Sequence, residues 1–415
     1  MKVVILGAGV TGITIAREFP EAVIIEKSSA GGLLRSTKIQ GFTFDTGGHL
    51  FHFKEETLRK EFEALMGNNY LKLKRRAVIY LMNEIIPYPF QANFFPLPQR
   101  VKMECLRDFV NAYHSPSKAT PGNFEEWLLS TFGEAMCKYF FFPYNRKFWG
   151  IDLKKISSQW AEWAIPKPSI DEIYLGSQGK IVEGMGYNPE FLYPKRGGAY
   201  VFFKEYARGI KVMENTVINE IDTEKKKIYT NGGEIKYDVL FSTIPLVEFV
   251  RLIKPEDDIL LLASRILKAN PVTVFNVGFE GEVPEYHWIY FPEERFSFFR
   301  LGFYSNFSPF MAPKGAHSLY LEFSGRERNE SDLNNAIEIL KKEGLLSGKI
   351  RLFQKIFIPH AYPIPTREAV LIKDGLESFL EERNIYIAGR AGSWEYLSTE
   401  GSILSGKRAV KKFTG

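Results

Sequence analysis

Three glycines and one acid near the start of the chain have the types and the spacing of a nucleotide-binding turn. The glycines are Gly7, Gly9 and Gly12, directly after the apolar run 3–6, and Glu26 ends the next apolar run. Gly7 permits a tight turn, Gly9 lets a pyrophosphate approach the backbone, and Gly12 lets the following helix pack on the strand. The start of that helix presents N–H groups to phosphates, and the Glu26 carboxylate can accept hydrogen bonds from a ribose diol. Together these residues predict a dinucleotide-binding site.

Two further glycine pairs follow this unit. Gly31-Gly32 precedes Arg35, and Gly47-Gly48 precedes His49. Paired glycines let a loop lie flat against a cofactor, although either pair alone would also suit an ordinary turn. Placed behind the first unit, the pair near Arg35 resembles the second fingerprint of FAD enzymes of the amine-oxidase superfamily. That resemblance implies that the dinucleotide is FAD.

The elements that must position these residues predict an α/β protein. The chain has 415 residues, too many for one compact core, so two or three domains are expected. We predict a discontinuous Rossmann-like FAD-binding domain with a helical insertion and a second, mostly antiparallel sheet domain. The predicted boundaries are 1–75, 193–250 and 367–415 for the FAD-binding domain, 96–170 for the helical insertion, 76–95 and 251–366 for the sheet domain, and 170–187 for a mobile loop.

Hydrophobic periodicity, caps and turn residues predict the individual elements. Helices are expected over 100–113, after the cap Asn123, over 200–208 and over 402–412. Strands of the nucleotide-binding domain are expected at 210–213, 217–221, 227–230 and 239–243. The second sheet is expected to contain a hairpin at 76–89 and strands at 271–280, 288–291, 295–304 and 317–323.

Composition and charge argue against several classes of function. The net charge of +5 is mild and scattered, so nucleic-acid binding is not expected, although an anionic small ligand suits it. Cys105 and Cys137 have no metal-ligand spacing, so we expect no metal site and a reducing compartment. The chain opens in a strand without a signal peptide, and no apolar run reaches the roughly 18 residues of a membrane span. We therefore expect a cytoplasmic protein.

Aromatic residues are unusually frequent, with 35 Phe and 20 Tyr. Three stretches, 88–93, 139–149 and 288–293, mix aromatic rings with polar side chains of defined shape. Flat rings beside amides suit a uracil, a sugar and a flavin, whereas the alternative is an aromatic core between domains.

Several motifs along the chain resemble the UDP-galactopyranose mutase family, and its eukaryotic-type branch more than its bacterial one. The resemblance spans nearly the whole sequence. The motifs are Gly47-Gly-His49, Pro87-Tyr-Pro-Phe-Gln91, Pro143-Tyr-Asn145 with Trp149, Tyr193-Pro-Lys-Arg-Gly-Gly198, Trp288-Ile-Tyr-Phe-Pro-Glu293 with Phe299-Arg300 and Ser305-Asn306, Ala361-Tyr-Pro-Ile-Pro-Thr366 and Gly389-Arg-Ala-Gly-Ser-Trp-Glu-Tyr396.

The resemblance implies a flavin-dependent mutase that interconverts the pyranose and furanose forms of a nucleotide sugar without net oxidation. The FAD must be reduced, and its N5 is then the nucleophile toward the anomeric carbon. An external reductant is implied, for which NAD(P)H is one candidate, and the oligomeric state stays open. The alternatives are an FAD-dependent oxidase or desaturase of the amine-oxidase or protoporphyrinogen-oxidase type, and a non-enzymatic FAD-binding protein.

The resemblance also assigns roles to residues by position. The catalytic positions are Arg300, Tyr362 and Tyr396 on the diphosphate, and His49 facing the flavin. The alternatives are a surface ion pair of Arg300 with Glu293 or Glu294, structural tyrosines, and a turn capped by His49. The substrate-binding positions are Gln91, Phe140, Asn145, Trp149, Asn188, Trp288 and Tyr290. The cofactor-binding positions are Gly7, Gly9, Gly12, Glu26, Gly32, Arg35, Gly48, Val217, Gly389, Arg390, Gly401 and Ser402.

One position departs from the family pattern. The eukaryotic-type pattern places a second diphosphate arginine in the helix after the Trp149 motif, where this chain has Ala164. Lys167 or Lys180 is a hypothetical substitute, because both are close in sequence. The departure leaves the identity of the nucleotide sugar open.

Overall fold

The strands in the described part of the chain form one seven-stranded sheet, two four-stranded sheets and two two-stranded sheets. The structure is a computed structural model that describes residues 1–114, 121–182, 185 and 189–415. The strands are β1 Val3–Leu6, β2 Val23–Ile25, β3 Ser36–Ile39, β4 Phe42–Asp45, β5 Tyr70–Lys74, β6 Ala77–Leu81, β7 Glu84–Pro87, β8 Glu190–Pro194, β9 Ile218–Asp222, β10 Lys227–Thr230, β11 Gly233–Lys236, β12 Val239–Ser242, β13 Ile253–Lys254, β14 Ala269–Glu282, β15 Trp288–Tyr290, β16 Arg300–Phe303, β17 His317–Ser324, β18 Ser347–Pro363 and β19 Ile385–Ile387.

Helices cover both faces of the parallel four-stranded sheet and pack on both faces of the seven-stranded sheet. A π-helical turn at Cys137–Phe141 joins the fifth and sixth helices into one continuous segment. The α-helices are α1 Val10–Glu18, α2 Glu56–Met66, α3 Phe90–Asn93, α4 Gln99–His114, α5 Phe124–Met136, α6 Phe142–Trp149, α7 Ala161–Ala164, α8 Ile170–Ser177, α9 Tyr200–Tyr206, α10 Leu246–Leu252, α11 Asp258–Ile266, α12 Tyr304–Phe307, α13 Glu330–Lys342, α14 Arg367–Glu381, α15 Gly389–Gly392 and α16 Thr399–Thr414.

A parallel sheet in the order β19-β12-β1-β2 is built from three distant parts of the chain. Val3 and Ile5 of β1 pack with α1, α9 and α16, whereas Val4 and Leu6 pack with α10, α11 and α14. Because helices cover both faces, the strands are apolar at nearly every position, and the polar Ser242 at the end of β12 is fully buried. The prediction of a discontinuous Rossmann-like unit is confirmed, while the predicted domain boundaries stay predictions.

The second sheet has seven strands in the order β18-β14-β17-β16-β15-β6-β7. All of its pairs are antiparallel except β15 with β6, which confirms the prediction of a mostly antiparallel sheet. Side chains alternate between its faces with period 2. Ile289, Leu301 and Leu321 pack in the core that contains α13, whereas Trp288 and Tyr320 pack in the core of the helical insertion.

Predicted capping at the start of α5 is confirmed. The Asn123 side chain accepts a hydrogen bond from the Glu126 N–H at 3.0 Å, as the sequence spacing predicted. The predicted helix over 100–113 corresponds to α4, and the one over 200–208 corresponds to α9.

The prediction of a loop over 170–187 is wrong in its first half. Residues 170–177 form α8, which begins at a capping box between Ser169 and Glu172. The Ser-x-x-Glu signature was present in the sequence and predicts a helix start there. Residues 183, 184 and 186–188 lie outside the described part of the chain.

Of the four strands predicted in the nucleotide-binding region, three are present as β9, β10 and β12, and one is wrong. Residues 210–213 form no strand, and only Met213 makes an isolated bridge to Ile25. β9 and β10 pair with each other in a separate sheet with β11 and β13, and only β12 joins the parallel sheet. A hairpin closes through a short turn, whereas entry into a parallel sheet needs a crossover, so neighbouring strands pair locally.

The second sheet also differs from its prediction at two places. The strand expected over 295–304 is limited to β16, because residues 291–299 form an irregular turn. The longest strand, β18, was not predicted at all, although it pairs with β14 along nearly its whole length. Within the described residues, no helix is long and apolar enough to cross a membrane.

Candidate active site

The first glycine turn has the shape of a cradle for phosphates. Gly7 has φ +92°, and a Cβ on Gly12 would lie 2.0 Å from the carbonyl oxygen of Gly7, so the turn and the helix can approach only without a side chain there. A Cβ on Gly9 would meet no atom within 4 Å, which leaves open space at the start of α1. Gly9 caps α1 without a side-chain hydrogen bond. This end of α1 can therefore receive an anionic ligand.

Glu26 lies beside this cradle at the end of β2. Its Oε2 accepts the Ala8 N–H at 3.0 Å, and its Oε1 accepts the Ser28 N–H at 3.0 Å. The two bonds fix the carboxylate next to the glycine turn, where the predicted ribose contact requires it. Neighbouring Gly32 would place a Cβ 3.2 Å from Gly9 Cα, and Arg35 donates to the Gly32 carbonyl at 3.2 Å.

Other predicted cofactor positions surround α1. Gly389 lies against Thr11 of α1, and its N–H donates to Ser405 Oγ at 2.9 Å. Gly401 and Ser402 lie in the first turn of α16, whose cap is Ser398. Val217, predicted to contact adenine, is 46% exposed just before β9. The glycine cradle, the fixed Glu26 carboxylate and the uncapped helix start fit a dinucleotide, while the individual cofactor contacts stay predictions.

A row of side chains crosses the second sheet at its face toward the helical insertion. Tyr290, Arg300 and Glu322 are register partners on β15, β16 and β17. Arg300 Nε donates to Glu322 Oε2 in a pair whose side chains are 20% and 6% exposed. Burial lowers the pKa of Arg300, but the Glu322 carboxylate together with Tyr362 and Tyr320 outweighs burial, and the net pKa is raised. Arg300 is therefore a fixed, fully charged guanidinium, and its surface pairing with Glu293 or Glu294 does not occur.

The neighbouring row of side chains on the same face of the sheet explains why Gly48 and Gly302 have no side chain. Tyr320 of β17 lies opposite Gly302 of β16, and a Cβ on Gly302 would lie 2.0 Å from the Tyr320 ring. A Cβ on Gly48 would lie 2.2 Å from the Tyr320 hydroxyl oxygen. Gly48 and Gly302 thus make room for one ring, which holds the turn bearing His49 against the sheet.

Arg390 joins the two predicted diphosphate tyrosines. Tyr362 lies at the end of β18 and Tyr396 follows α15, and their rings stack at 5.9 Å between centroids. The Arg390 guanidinium lies 5.0 Å from the Tyr362 ring and 4.6 Å from the Tyr396 ring. It also donates to the carbonyls of Ala361 and Leu397 at 3.0 and 2.9 Å. Arg390, predicted to bind the cofactor, acts in this structure as a clamp between the strand and the turn.

A ladder of aromatic rings runs along the helical segment toward these tyrosines. Phe140, Tyr144 and Phe148 stack at 5.6 and 6.1 Å, because residues four apart share a helix face. Phe148 then packs on Tyr362 at 4.3 Å. Trp149 is fully buried beside both Tyr362 and Tyr396, and its Nε1 has no partner among the described residues. The structure thus brings Phe140, Trp149 and the tyrosines into one cluster.

Tyr290 extends this cluster to the start of the insertion. Its ring contacts Tyr144 at 5.4 Å and Tyr88 at 5.5 Å. Burial raises the pKa of the Tyr290 and Tyr362 hydroxyls, so both keep their protons at neutral pH. Trp288 lies farther along the same face, against Phe191.

The two predicted amides use their donors within the protein. Gln91 donates to the Pro166 carbonyl at 2.7 Å, and Asn145 donates to the Phe141 carbonyl at 2.8 Å. Both side chains are buried next to the aromatic ladder. Their roles toward uridine stay predictions, and Asn188 lies outside the described residues.

His49 is held neutral between two cations. Its Nδ1 is buried without a partner among the described residues. Burial, together with the charges of Arg390 and Arg300, lowers the pKa of His49 to about 4. An imidazole that stays uncharged can offer a hydrogen bond to a cofactor without adding charge.

Sequence reasoning missed a buried acid that holds the His49 turn. Asp45 Oδ1 accepts hydrogen bonds from Ser36 Oγ at 2.6 Å and from the Ala199 N–H at 3.0 Å, and its Oδ2 accepts one from the Tyr193 hydroxyl at 2.6 Å. Burial raises the pKa of Asp45 to about 6, against these three bonds. An acid at the end of the apolar run 42–44 was the available signal. Glu322 was missed in the same way, as a charge inside the apolar strand β17.

Comparison with known proteins agrees with this architecture. The family model of flavin containing amine oxidoreductases matches residues 10–412. A structure of reduced UDP-galactopyranose mutase superposes with a TM-score of 0.93 at 27% identity and covers 100% of this chain and 95% of that one. A candidate protoporphyrinogen oxidase from Exiguobacterium has a TM-score of 0.76 at 16% identity, covers 99% of this chain and 98% of that one, and shares the fold alone.

One curated relative has a named activity. The dTDP-fucopyranose mutase of Escherichia coli is 24% identical over 211 residues, which are 46% of this chain and 52% of that protein. The chain spans about half the length of the curated relatives it matches. The family match and the cradle at the start of α1 together identify the cofactor as FAD. The chain belongs to the flavin containing amine oxidoreductase family.

Proposed function

We propose that this protein is a flavin-dependent mutase that interconverts the pyranose and furanose forms of a nucleotide sugar. The substrate is UDP-galactose or a close relative such as a dTDP-linked deoxysugar. The observation that carries the proposal is the guanidinium of Arg300, paired by Glu322 and facing buried tyrosines, in a chain similar over its whole length to a UDP-galactopyranose mutase.

Arg300 is the group that binds the diphosphate in this proposal. Because the Arg300 Nε–H donates its hydrogen bond to Glu322, the two Nη groups are the part of the guanidinium that meets phosphate oxygens. Two parallel hydrogen bonds to phosphate stabilise the charge that develops when the nucleoside diphosphate leaves. A charged, preoriented arginine does this without rearranging, and the Glu322 pair supplies that orientation.

Tyr362 and Tyr396 add hydrogen bonds to the same diphosphate. The buried Tyr362 hydroxyl keeps its proton and can donate. Arg390 holds the two rings in one stack, so that both hydroxyls approach the ligand from one side. The ladder of Phe140, Tyr144 and Phe148 walls the site and excludes water.

The flavin would be held by the glycine cradle at α1, by Glu26 and by the turn that carries Gly48 and His49. When bound and reduced, FAD supplies a nucleophilic nitrogen for attack on a sugar carbon. His49 stays uncharged there and can hydrogen-bond the cofactor edge. We further propose that an external reductant, with NAD(P)H as one candidate, keeps the cofactor reduced, and that the reaction takes place in the cytoplasm.

The missing second arginine is the weakest match to the family pattern. Ala164 ends α7, and Lys167 three residues later places its Nζ 5.0 Å from the Trp127 ring. Lys167→Ala and Lys180→Ala, each measured for UDP affinity, test the substitute cations. Unchanged affinity in both variants would eliminate the hypothesis.

The mutase proposal is tested with the reduced holoenzyme. The protein is reduced with dithionite without oxygen, mixed with UDP-galactofuranose or with a dTDP-fucose isomer, and the products are separated by chromatography. Turnover in the reduced state and none in the oxidised state supports the mutase. Consumption of oxygen with an amine or a porphyrinogen, and no sugar isomerisation, would instead support the oxidase alternative.

A further inference from the structure

A lysine outside the predicted site is surrounded by backbone carbonyl groups. Lys147 Nζ lies 2.8 Å from the Phe291 oxygen, 2.6 Å from that of Glu293 and 2.7 Å from that of Phe296, and 3.4 Å from that of Phe298. An ammonium group has three protons, so the three short contacts are full hydrogen bonds and the fourth is electrostatic. The amine thus occupies a cage of four oxygens that would otherwise repel one another.

The caged turn connects two residues of the site. Residues 291–299 join Tyr290 at the end of β15 to Arg300 at the start of β16. The turn has few bonds of its own, among them the Phe291 N–H to the Phe299 carbonyl at 3.0 Å. Irregular backbone buries polar groups that need partners, and the ammonium supplies them.

Lys147 itself is on the helix that carries Asn145 and Trp149. The end of this helix is fixed to the second sheet, because Asn270 donates to the Phe148 carbonyl at 2.6 Å and Ser324 Oγ donates to the Lys147 carbonyl. The lysine side chain therefore spans from a fixed helix to a turn that lacks regular structure. It joins the helix to the turn beside two ring contacts, Tyr144 with Tyr290 at 5.4 Å and Phe148 with Phe299 at 5.6 Å.

The charge of this amine depends on the cage. Burial lowers the pKa of Lys147 to about 7, and the Glu293 and Glu294 carboxylates act in the opposite direction. Carbonyl oxygens accept hydrogen bonds from the ammonium form and favour it. A neutral apolar side chain at this position would take the ammonium donor away from all four oxygens, of which that of Glu293 also accepts the Phe296 N–H at 3.2 Å.

We propose that Lys147 is a positioning residue that acts as a built-in cation, holding the 291–299 turn so that Arg300 and Tyr290 face the ligand. The expected loss of kcat/KM rests on the proposed mutase function, whereas the expected rise in hydrogen exchange of the turn does not. In this role Lys147 touches neither substrate nor cofactor.

A cavity gives small molecules access to the cage. It has a volume of about 910 Å³ and lies between α4, α5 and the 291–299 turn, with Lys147, Lys138, Glu134 and Phe296 among its lining residues. Removing the lysine side chain beyond Cβ would leave room, continuous with this cavity, for a propylammonium ion. That ion has the three carbons and the ammonium nitrogen that Lys147→Ala removes.

The experiment compares the holoenzyme with Lys147→Ala, Lys147→Met and the control Lys138→Met, whose lysine is exposed at the same cavity. Two quantities are measured: kcat and KM with the nucleotide sugar, and hydrogen exchange of the Phe296 and Phe299 amides. We expect kcat/KM to fall roughly 100-fold in both Lys147 variants, because a displaced guanidinium misaligns the diphosphate. Exchange of the two amides should rise in the same variants and stay unchanged in the control.

Chemical rescue distinguishes a cation from mere packing. Propylammonium should restore slow exchange and much of the turnover in Lys147→Ala but not in Lys147→Met, whose side chain fills the space. The neutral isostere n-propanol should restore neither. If Lys147→Ala does not fold, recovery of folding in propylammonium supports the cage and continued failure overturns it.

Two results would overturn the inference. The first is exchange and turnover within twofold of the parent protein in both Lys147 variants. The second is faster exchange with unchanged kcat/KM, since the turn would then not position Arg300. If the parent protein shows no mutase turnover while exchange responds to Lys147 and to propylammonium, the proposed function fails and the cage stands.

Discussion

The carboxylate of Glu322 decides what Arg300 can do. A guanidinium buried without a partner would be costly, and one paired at the surface would be mobile. The cross-strand pair on β16 and β17 avoids both, because it fixes the charge on the face of the sheet that meets the helical insertion. The diphosphate role proposed for Arg300 depends on this pair.

Removing the charge of Glu322 should therefore destabilise the protein. We expect Glu322→Gln to lower the free energy of unfolding by about 3 kcal/mol, because a buried arginine is left without its counterion. Denaturant titration checks this value. The control is Glu327→Gln, whose pair with Lys355 is half-exposed and should be worth at most about 0.5 kcal/mol. Equal losses in the two variants would contradict the importance of the buried pair.

A second residue-scale prediction concerns the turn before α9. Gly198 has φ +71°, and a Cβ there would lie 2.4 Å from Asp45 Oδ1. Gly198→Ala should lower the free energy of unfolding by about 3 kcal/mol or more, because it adds a clash with the Asp45 bonds to left-handed strain. Gly209 has φ +83° and open space around its Cβ position, so Gly209→Ala should cost only about 1 kcal/mol. Thermal and denaturant unfolding of both variants measure the two losses in free energy. Their difference separates the cost of the clash at position 198 from the cost of left-handed backbone strain.

At the scale of elements, the site depends on joints between segments far apart in sequence. The end of β18 and the turn after α15 carry the two tyrosines proposed to bind the diphosphate, and Arg390 connects them through two carbonyls and two ring faces. Similarly, Lys147 connects α6 to the turn before β16. Each joint uses one cation to fix two backbones.

Arg390→Lys tests the first joint. A lysine cannot reach both carbonyls and lie between both rings, so we expect kcat/KM to fall at least about tenfold and the free energy of unfolding to fall by about 1–2 kcal/mol. Arg383→Lys is the matched control, because Arg383 also lies on a ring, that of Phe379, and donates to a carbonyl, but far from the site. A comparable loss of kcat/KM in the control would contradict a specific role for Arg390.

For the whole molecule, the burial of titratable groups predicts sensitivity to acid. Burial lowers the pKa of His49 and His52 to about 4 and of His287 to about 3, so the folded protein keeps all three neutral at pH 5. Unfolding returns them to about 6.5 and they take up protons. Burial raises the pKa of Asp45 to about 6, so this group binds its proton in the folded state and acts in the opposite direction.

The net effect of the four groups is an uptake of roughly two protons on unfolding near pH 5. We expect the free energy of unfolding to fall by roughly 2–3 kcal/mol per pH unit as the pH is lowered from 6 to 5. Denaturant titrations at a series of pH values measure this slope. His287→Gln should lower the number of protons taken up on unfolding by about one and so make the slope smaller. His114→Gln, at an exposed position, should leave the slope unchanged. A slope unaffected by His287→Gln would contradict the prediction.

The sequence by itself determined the nucleotide-binding part of this protein. Each residue of the glycine turn is near its partners along the chain, so the types and spacing of Gly7, Gly9, Gly12 and Glu26 were enough to predict strand, turn and helix. The alternating strands of the second sheet were predictable for the same reason, since period-2 burial is a local pattern.

The tertiary structure alone decided how the site is assembled. Arg300 and Glu322 are register partners only after β16 and β17 pair. The spacing of residues in the sequence does not reveal which residues of the two strands become partners. β18 was missed although its register partner β14 was predicted, and the capping box of α8 was overlooked within a glycine-rich stretch. The four carbonyls around Lys147 belong to backbone far from it in sequence, and main-chain acceptors leave no mark on residue types. Contacts between backbone and distant side chains form through the fold, and so only the folded chain could show them.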